Sequence, residues 1–163
     1  MNRSKDATVR ILEVDADHAL GVLDNLLIVV WRDRTLSPAL ARVTLALRRL
    51  MEAHREVGIL QVAEVSAKAP DAKAREEIAK LLALGKGRVA CSSLVYMGTG
   101  FWMASARAFV TGLTALSRPG FPHVVFERID EAADWHARLL GTTTRGEIDA
   151  AVRTMMAALD RAK

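Results

Sequence analysis

The stretch NLLIVVWR, Asn25–Arg32, sets five consecutive Leu, Ile and Val residues ahead of Trp31. A strand with one wet face alternates apolar and polar residues, whereas an unbroken run suits a strand covered on both faces. Burying such a strand requires a sheet with material packed above and below it. Alternating strands and helices meet that demand in a short chain, because crossovers lay helices over the sheet.

The flanking sequence carries that alternation. ATVRILEV (Ala7–Val14) is rich in β-branched residues and predicts a first strand. DADHALGVLD (Asp15–Asp24) has turn chemistry, so the first two strands are expected to form an antiparallel hairpin around it. In SPALARVTLALRRLMEAHRE, Ser37 is a natural N-cap and Pro38 suits the first helical position. Leu40, Val43, Leu47, Leu50 and His54 then recur at helical steps. VGILQVAEV (Val57–Val65) predicts a third strand. PDAKAREEIAKLLAL predicts a second helix begun at Pro70 and Asp71 and stopped by Gly85 and Gly87.

RVACSSLVYM reads as the fourth strand, the apolar segment that follows as a third helix, and HVVFER as the fifth strand. Asp130 can cap EAADWHARLL, which Gly141 ends. Thr144 and Glu147 have capping-box spacing ahead of a stripe of Ile148, Ala151, Val152, Met155 and Leu159. The expected fold is α/β: a β-hairpin followed by β-α repeats, giving a mostly parallel five-stranded sheet with flanking helices. One domain spans 1–163, with a core over about 7–140 and an additional C-terminal amphipathic helix over 144–161. A chain of 163 residues buries about 70% of its unfolded surface without disulfides or metals.

Composition narrows the function classes. The net charge is +4, yet the basic residues are scattered among acids and Arg48-Arg49 is the only adjacent basic pair. With one Tyr, four Phe and three Trp there is little to stack on bases, which argues against nucleic acid. The lone Cys91 has no intramolecular disulfide partner and reads as core filler. MNRSKDATVR lacks the apolar core of a secretory signal, so a cytoplasmic protein is expected.

Parallel strands gather the loops at their carboxyl ends, where open α/β sheets bind ligands. That rim is expected to hold Trp31–Arg34, Glu64–Ser66, Tyr96–Trp102 and Arg128. His54 closes a helix and His123 opens a strand, so both are expected at the opposite rim, together with His18 of the hairpin. His136 lies part-way along a helix. No imidazole or thiol is then available at the ligand rim, which leaves Asp33 and Glu64 as the only general acid–base pair there, a minor enzymatic alternative. No two histidines have metal-ligand spacing, so no metal is expected, and Asp15 and Asp17 do not change that.

Gly98-Thr99-Gly100, followed by Phe101 and Trp102, reads first as a tight structural turn into the third helix and second as an anion or small-ligand contact. It is neither a dinucleotide fingerprint nor a P-loop, and no cofactor is expected. Between Val89 and Ser117 only Arg107 is charged. A central Arg and several hydroxylated residues oppose a membrane span, so the protein is not expected to be an integral membrane protein. Trp102, Phe109 and Leu113 can face the sheet, and the remaining sides call for cover from the terminal helix or from another subunit.

The hairpin, the alternating helices and the closing FPHVVFERIDEAADWHARLL resemble the SpoIIAA-like STAS domains, a superfamily that includes anti-sigma factor antagonists. GTGFWMASARAFVTGLTALSRPGFPHVVF is similar to a bacterial subgroup of unassigned function, and the resemblance covers roughly residues 22 to 140. It implies a non-catalytic regulatory or protein-interaction module, self-associating or bound to another regulatory protein. The working surface would lie near Gly98, Thr99, Gly100, Phe101, Trp102 and Phe109, with Glu64 and Ser66 beside it. Some relatives bind small molecules or lipids, so a pocket at the carboxyl ends of the strands is the alternative. The serine that is phosphorylated in anti-sigma factor antagonists follows an Asp; here Asp71 is followed by Ala72, and Ser66 is a poor substitute.

Overall fold

A computed structural model describes residues 7–98 and 101–162, apart from the side chains at 101–103 and 116. Among the described residues six strands form one mixed sheet in the order β1 (Arg10–Val14), β2 (His18–Leu23), β3 (Leu26–Trp31), β4 (Val57–Ala63), β5 (Val89–Tyr96) and β6 (His123–Phe126). The first three are antiparallel neighbours, and β3 to β6 pair in parallel. Five helices join them: α1 (Ser37–Ala53), α2 (Ala72–Leu84), α3 (Phe101–Ser117), α4 (Ile129–Leu140) and α5 (Arg145–Arg161). The α/β class and the parallel run agree with the sequence pattern.

The strand count does not. Asp15–Asp24, read as a turn, contains all of β2, so the sheet has six strands and opens on a meander. Gly21 explains the misreading. A Cβ there would sit 3.1 Å from both the Met155 sulfur and a Val9 methyl, so the glycine lets β1 and α5 approach the strand closely. The real turn is Asp24-Asn25, where Asp24 takes a left-handed conformation at φ 51°.

Because the order runs straight from β3 to β6, every crossover steps the same way, and equal handedness puts α1, α2 and α3 on one face. The chain then returns across the other face as α4 and α5. Strand β3 is thus covered on both sides, with Leu27, Val29 and Trp31 facing α1 and Leu26, Ile28 and Val30 facing α4 and α5. Every one of those six side chains is at most 5% exposed, as the unbroken apolar run demands. Helix α5 carries its stripe to β2 and β3, so it does not cover α3, which lies across the sheet from it.

Two helix starts also differ from expectation. Leu36 is the N-cap of α1, with Ser37 and Pro38 inside the first turn, and Arg128 rather than Asp130 precedes α4. Asp130 is held in an ion pair by Arg128 and Arg145 instead. Asp71 caps α2 by accepting from the Ala74 amide at 2.8 Å, and the Thr144–Glu147 capping box opens α5. Among the described residues no helix is long and apolar enough to cross a membrane.

Candidate functional site

Strand alternation decides what each face of the sheet offers. Along β5, Cys91, Ser93 and Val95 point to the α4–α5 face, while Ser92, Leu94 and Tyr96 point to the α1–α3 face. Beyond α1 the latter face is not filled. A cleft of about 930 Å³ lies between the sheet and the α2–α3 pair, reaching the carboxyl rim of the strands. Its floor is Trp31, Gln61, Ala63, Leu94, Tyr96 and His123; Ile78, Phe109, Val110 and Leu113 form the helical wall. Gly98 and Met97 border it, and Lys68 and Arg75 stand at the rim.

The polar groups in this apolar lining are fixed. The Trp31 indole N–H donates to Gln61 Oε1 at 3.1 Å. His123 Nδ1 lies 2.8 Å from Ser92 Oγ, and burial pushes its pKa down to about 4, so the imidazole is neutral at pH 7. His123 opens β6 as expected, but the short strand pairs it with Ser92, part-way up β5, and it faces the cleft instead of the far rim.

His18 also departs from its expected place. Because β2 runs antiparallel to β3, its first residue stands beside the last residue of β3, at the carboxyl rim. There the fully buried imidazole stacks on Trp31, with ring centres 5.5 Å apart, so His18 backs a wall of the cleft. Nδ1 lies 3.0 Å from Asp15 Oδ1, and Nε2 lies 3.2 Å from Glu13 Oε1, off hydrogen-bond alignment. Ligand atoms of Glu13, Asp15 and His18 come within 4.8 Å of one another, but the Arg42 guanidinium is already paired with both carboxylates. The amides of Asp17 and His18 hold the Asp15 carboxyl below its usual pKa against the opposing pull of burial.

The expected site residues divide three ways. Gly98 and Phe109 border the cleft. Thr99, Gly100 and the side chains of Phe101 and Trp102 lie outside the described residues. Glu64 and Ser66 serve the loops: Glu64 accepts both arms of the Arg32 guanidinium, at 2.7 and 2.9 Å, and Ser66 Oγ donates to the Arg32 carbonyl at 2.6 Å. Asp33 pairs with Lys68 at 3.0 Å. Both carboxylates of the two-acid reading therefore carry cations already.

The sequence reading overlooked the serine–histidine contacts. On the packed face His136 of α4 lies 2.8 Å from Ser93 Oγ and 3.3 Å from Cys91 Sγ, fully buried. Burial lowers the His136 pKa to about 4 and raises the Cys91 thiol to about 12, which makes the thiol inert. Ser92 is itself fully buried and no carboxylate orients His123 among the described residues, so that pair lacks the parts of a nucleophilic site. The signal was present as adjacent serines of one strand, facing opposite ways, with one histidine later in β6 and another in α4. Scanning this chain against protein-family models, curated proteins and solved structures returned no match.

Proposed function

We propose that this chain is a non-catalytic binding protein for a small, largely apolar molecule held in the cleft beneath α2 and α3. One observation carries the reading: an apolar cavity of about 930 Å³ with a few convergent polar groups, opening at the carboxyl ends of parallel strands. The non-catalytic part of the reading is supported by the engaged state of the rim acids and the burial of Ser92. The test is binding of an apolar fluorescent probe, combined with native mass spectrometry of gently purified protein. Placing a larger side chain on the α3 wall, Ala106→Phe, is expected to weaken probe binding at least about tenfold with the unfolding midpoint unchanged. Equal binding by the variant would exclude the cleft.

A regulatory, self-associating STAS-like module in a bacterial cytoplasm is the second reading, and it draws on the sequence resemblance. It is favoured by the outward face of α3, where Ala104, Ala108, Gly112 and Ala115 are exposed beside Arg107, itself paired with Glu127 at 3.2 Å. Sedimentation velocity across a hundredfold range of concentration decides it. A monomer at every concentration removes self-association, and Gly112→Glu should dissociate any dimer built on this face.

A further inference from the structure

We infer that the occupant of the cleft is an amphiphilic anion, with one carboxylate or phosphate at the carboxyl rim and an uncharged apolar body running down toward His123. This rests on the cleft being a ligand site and adds the chemical class and orientation of the ligand.

The charge of the lining is one-sided. No Asp or Glu borders the cleft among the described residues, whereas two cations do, Lys68 and Arg75. Both stand at the same end: Lys68 lies in the loop that leaves β4 at the carboxyl rim, and Arg75 is in the first turn of α2, which starts there. The nearby acids are engaged elsewhere. Asp71 caps α2 through the Ala74 amide, and Glu64 is bound to Arg32. The Arg75 guanidinium has no ion pair or hydrogen bond among the described residues. Lys68 has one exposed partner, Asp33, in a solvated pair of the kind that is weak and exchanges readily. A guanidinium and an ammonium at one rim suit a carboxylate or a phosphate.

The opposite end excludes charge. From Tyr96 at the rim to Ser92, the partner of His123, β5 spans four residues, or about 13 Å. Over that length Leu94, Phe109, Val110, Leu113 and Ile78 cannot solvate an ion, and the amide beside Leu94, Gln61, already accepts from the Trp31 indole N–H. At the bottom His123 is held neutral by burial and already meets Ser92, so it offers hydrogen bonding but no charge. A cavity with cations at its mouth and an apolar shaft below them selects a head and a tail in one molecule.

The experiment is competition against the apolar fluorescent probe by decanoate, decyl phosphate, decanol and inorganic phosphate, in the wild type and in a Lys68→Gln/Arg75→Gln double variant. Decanoate or decyl phosphate is expected to bind at least about tenfold more tightly than decanol, less so as salt rises from about 0.05 to 0.3 M. The tighter of the two identifies the head. Inorganic phosphate alone should displace nothing. In the double variant the anions should fall to within about threefold of decanol, with decanol binding and the unfolding midpoint unchanged. Decanol binding as tightly as the anions, a preference that survives the double variant, or displacement by phosphate alone would overturn this inference and leave the cleft reading standing. Failure of the probe and of every ligand to bind would overturn both.

Discussion

His136 and His123 approach β5 from opposite faces of the sheet, and each lies 2.8 Å from a serine of that strand. The chemistry is the same, and burial depresses both imidazoles to about 4. Their surroundings differ. Behind His136 the α4 helix is drawn onto the sheet at Gly58, where a Cβ would come 3.3 Å from His136 Nδ1 and 2.8 Å from a Leu140 methyl. His123 has no such cover and borders the cleft. A polar pair on a closed face is part of the core; an equivalent pair on an incompletely filled face lines a cleft. The geometry of the covering helices separates the two roles.

Three measurements bear on this contrast, the first with the largest expected effect. Cys91, on the closed face and pushed up to about 12, should alkylate at pH 8 at least about 1,000-fold more slowly in the native protein than in urea. Rapid native labelling would show that the α4 face opens. Truncation comes second. Met155→Ala, at a fully buried position on α5, should cost about 2–5 kcal/mol by urea unfolding. Phe109→Ala, on the half-buried cleft wall, should cost less than about 2 kcal/mol. Equal costs would mean that the cleft wall is packed as tightly as the core.

The third test is pH dependence. The folded pKa of His136 lies below the unfolded value of 6.5, so the unfolded chain binds the extra proton. Its contribution is complete above about pH 6.5 and is lost as pH falls toward 4, by up to about 3 kcal/mol. Unfolding free energies measured at pH 7 and pH 4.5 should therefore differ less in His136→Asn than in the wild type. His123→Asn should flatten the profile by a similar amount, because burial holds both imidazoles at about 4. A profile left unchanged by either variant would show that imidazole to be hydrated in the folded protein.

Much of this architecture could be read from residues alone. The run Leu26–Val30 required a doubly covered strand, and the alternation that follows it required parallel pairing, because consecutive strands joined by helices must return to the same end of the sheet. The opening of α2 at Asp71 and the Thr144–Glu147 capping box were equally local and were found where their spacing indicated, whereas the caps expected at Ser37 and Asp130 were not. Strand β2 escaped notice because Gly21 and three aspartates imitate a turn, and the reason for the glycine, the close approach of Met155 and Val9, involves partners outside that stretch.

Local pattern therefore determined the type and order of every element except β2, and the direction of four strands, since hydrophobic period and capping are set by residues a few positions apart. The placement of His18 behind Trp31, the diversion of Glu64 to Arg32 and the opening of a cleft beside Leu94 were decided only by tertiary packing. Each depends on how far two helices stand from a sheet, a distance that no neighbouring residue encodes and that the summed volumes of side chains from separate elements fix.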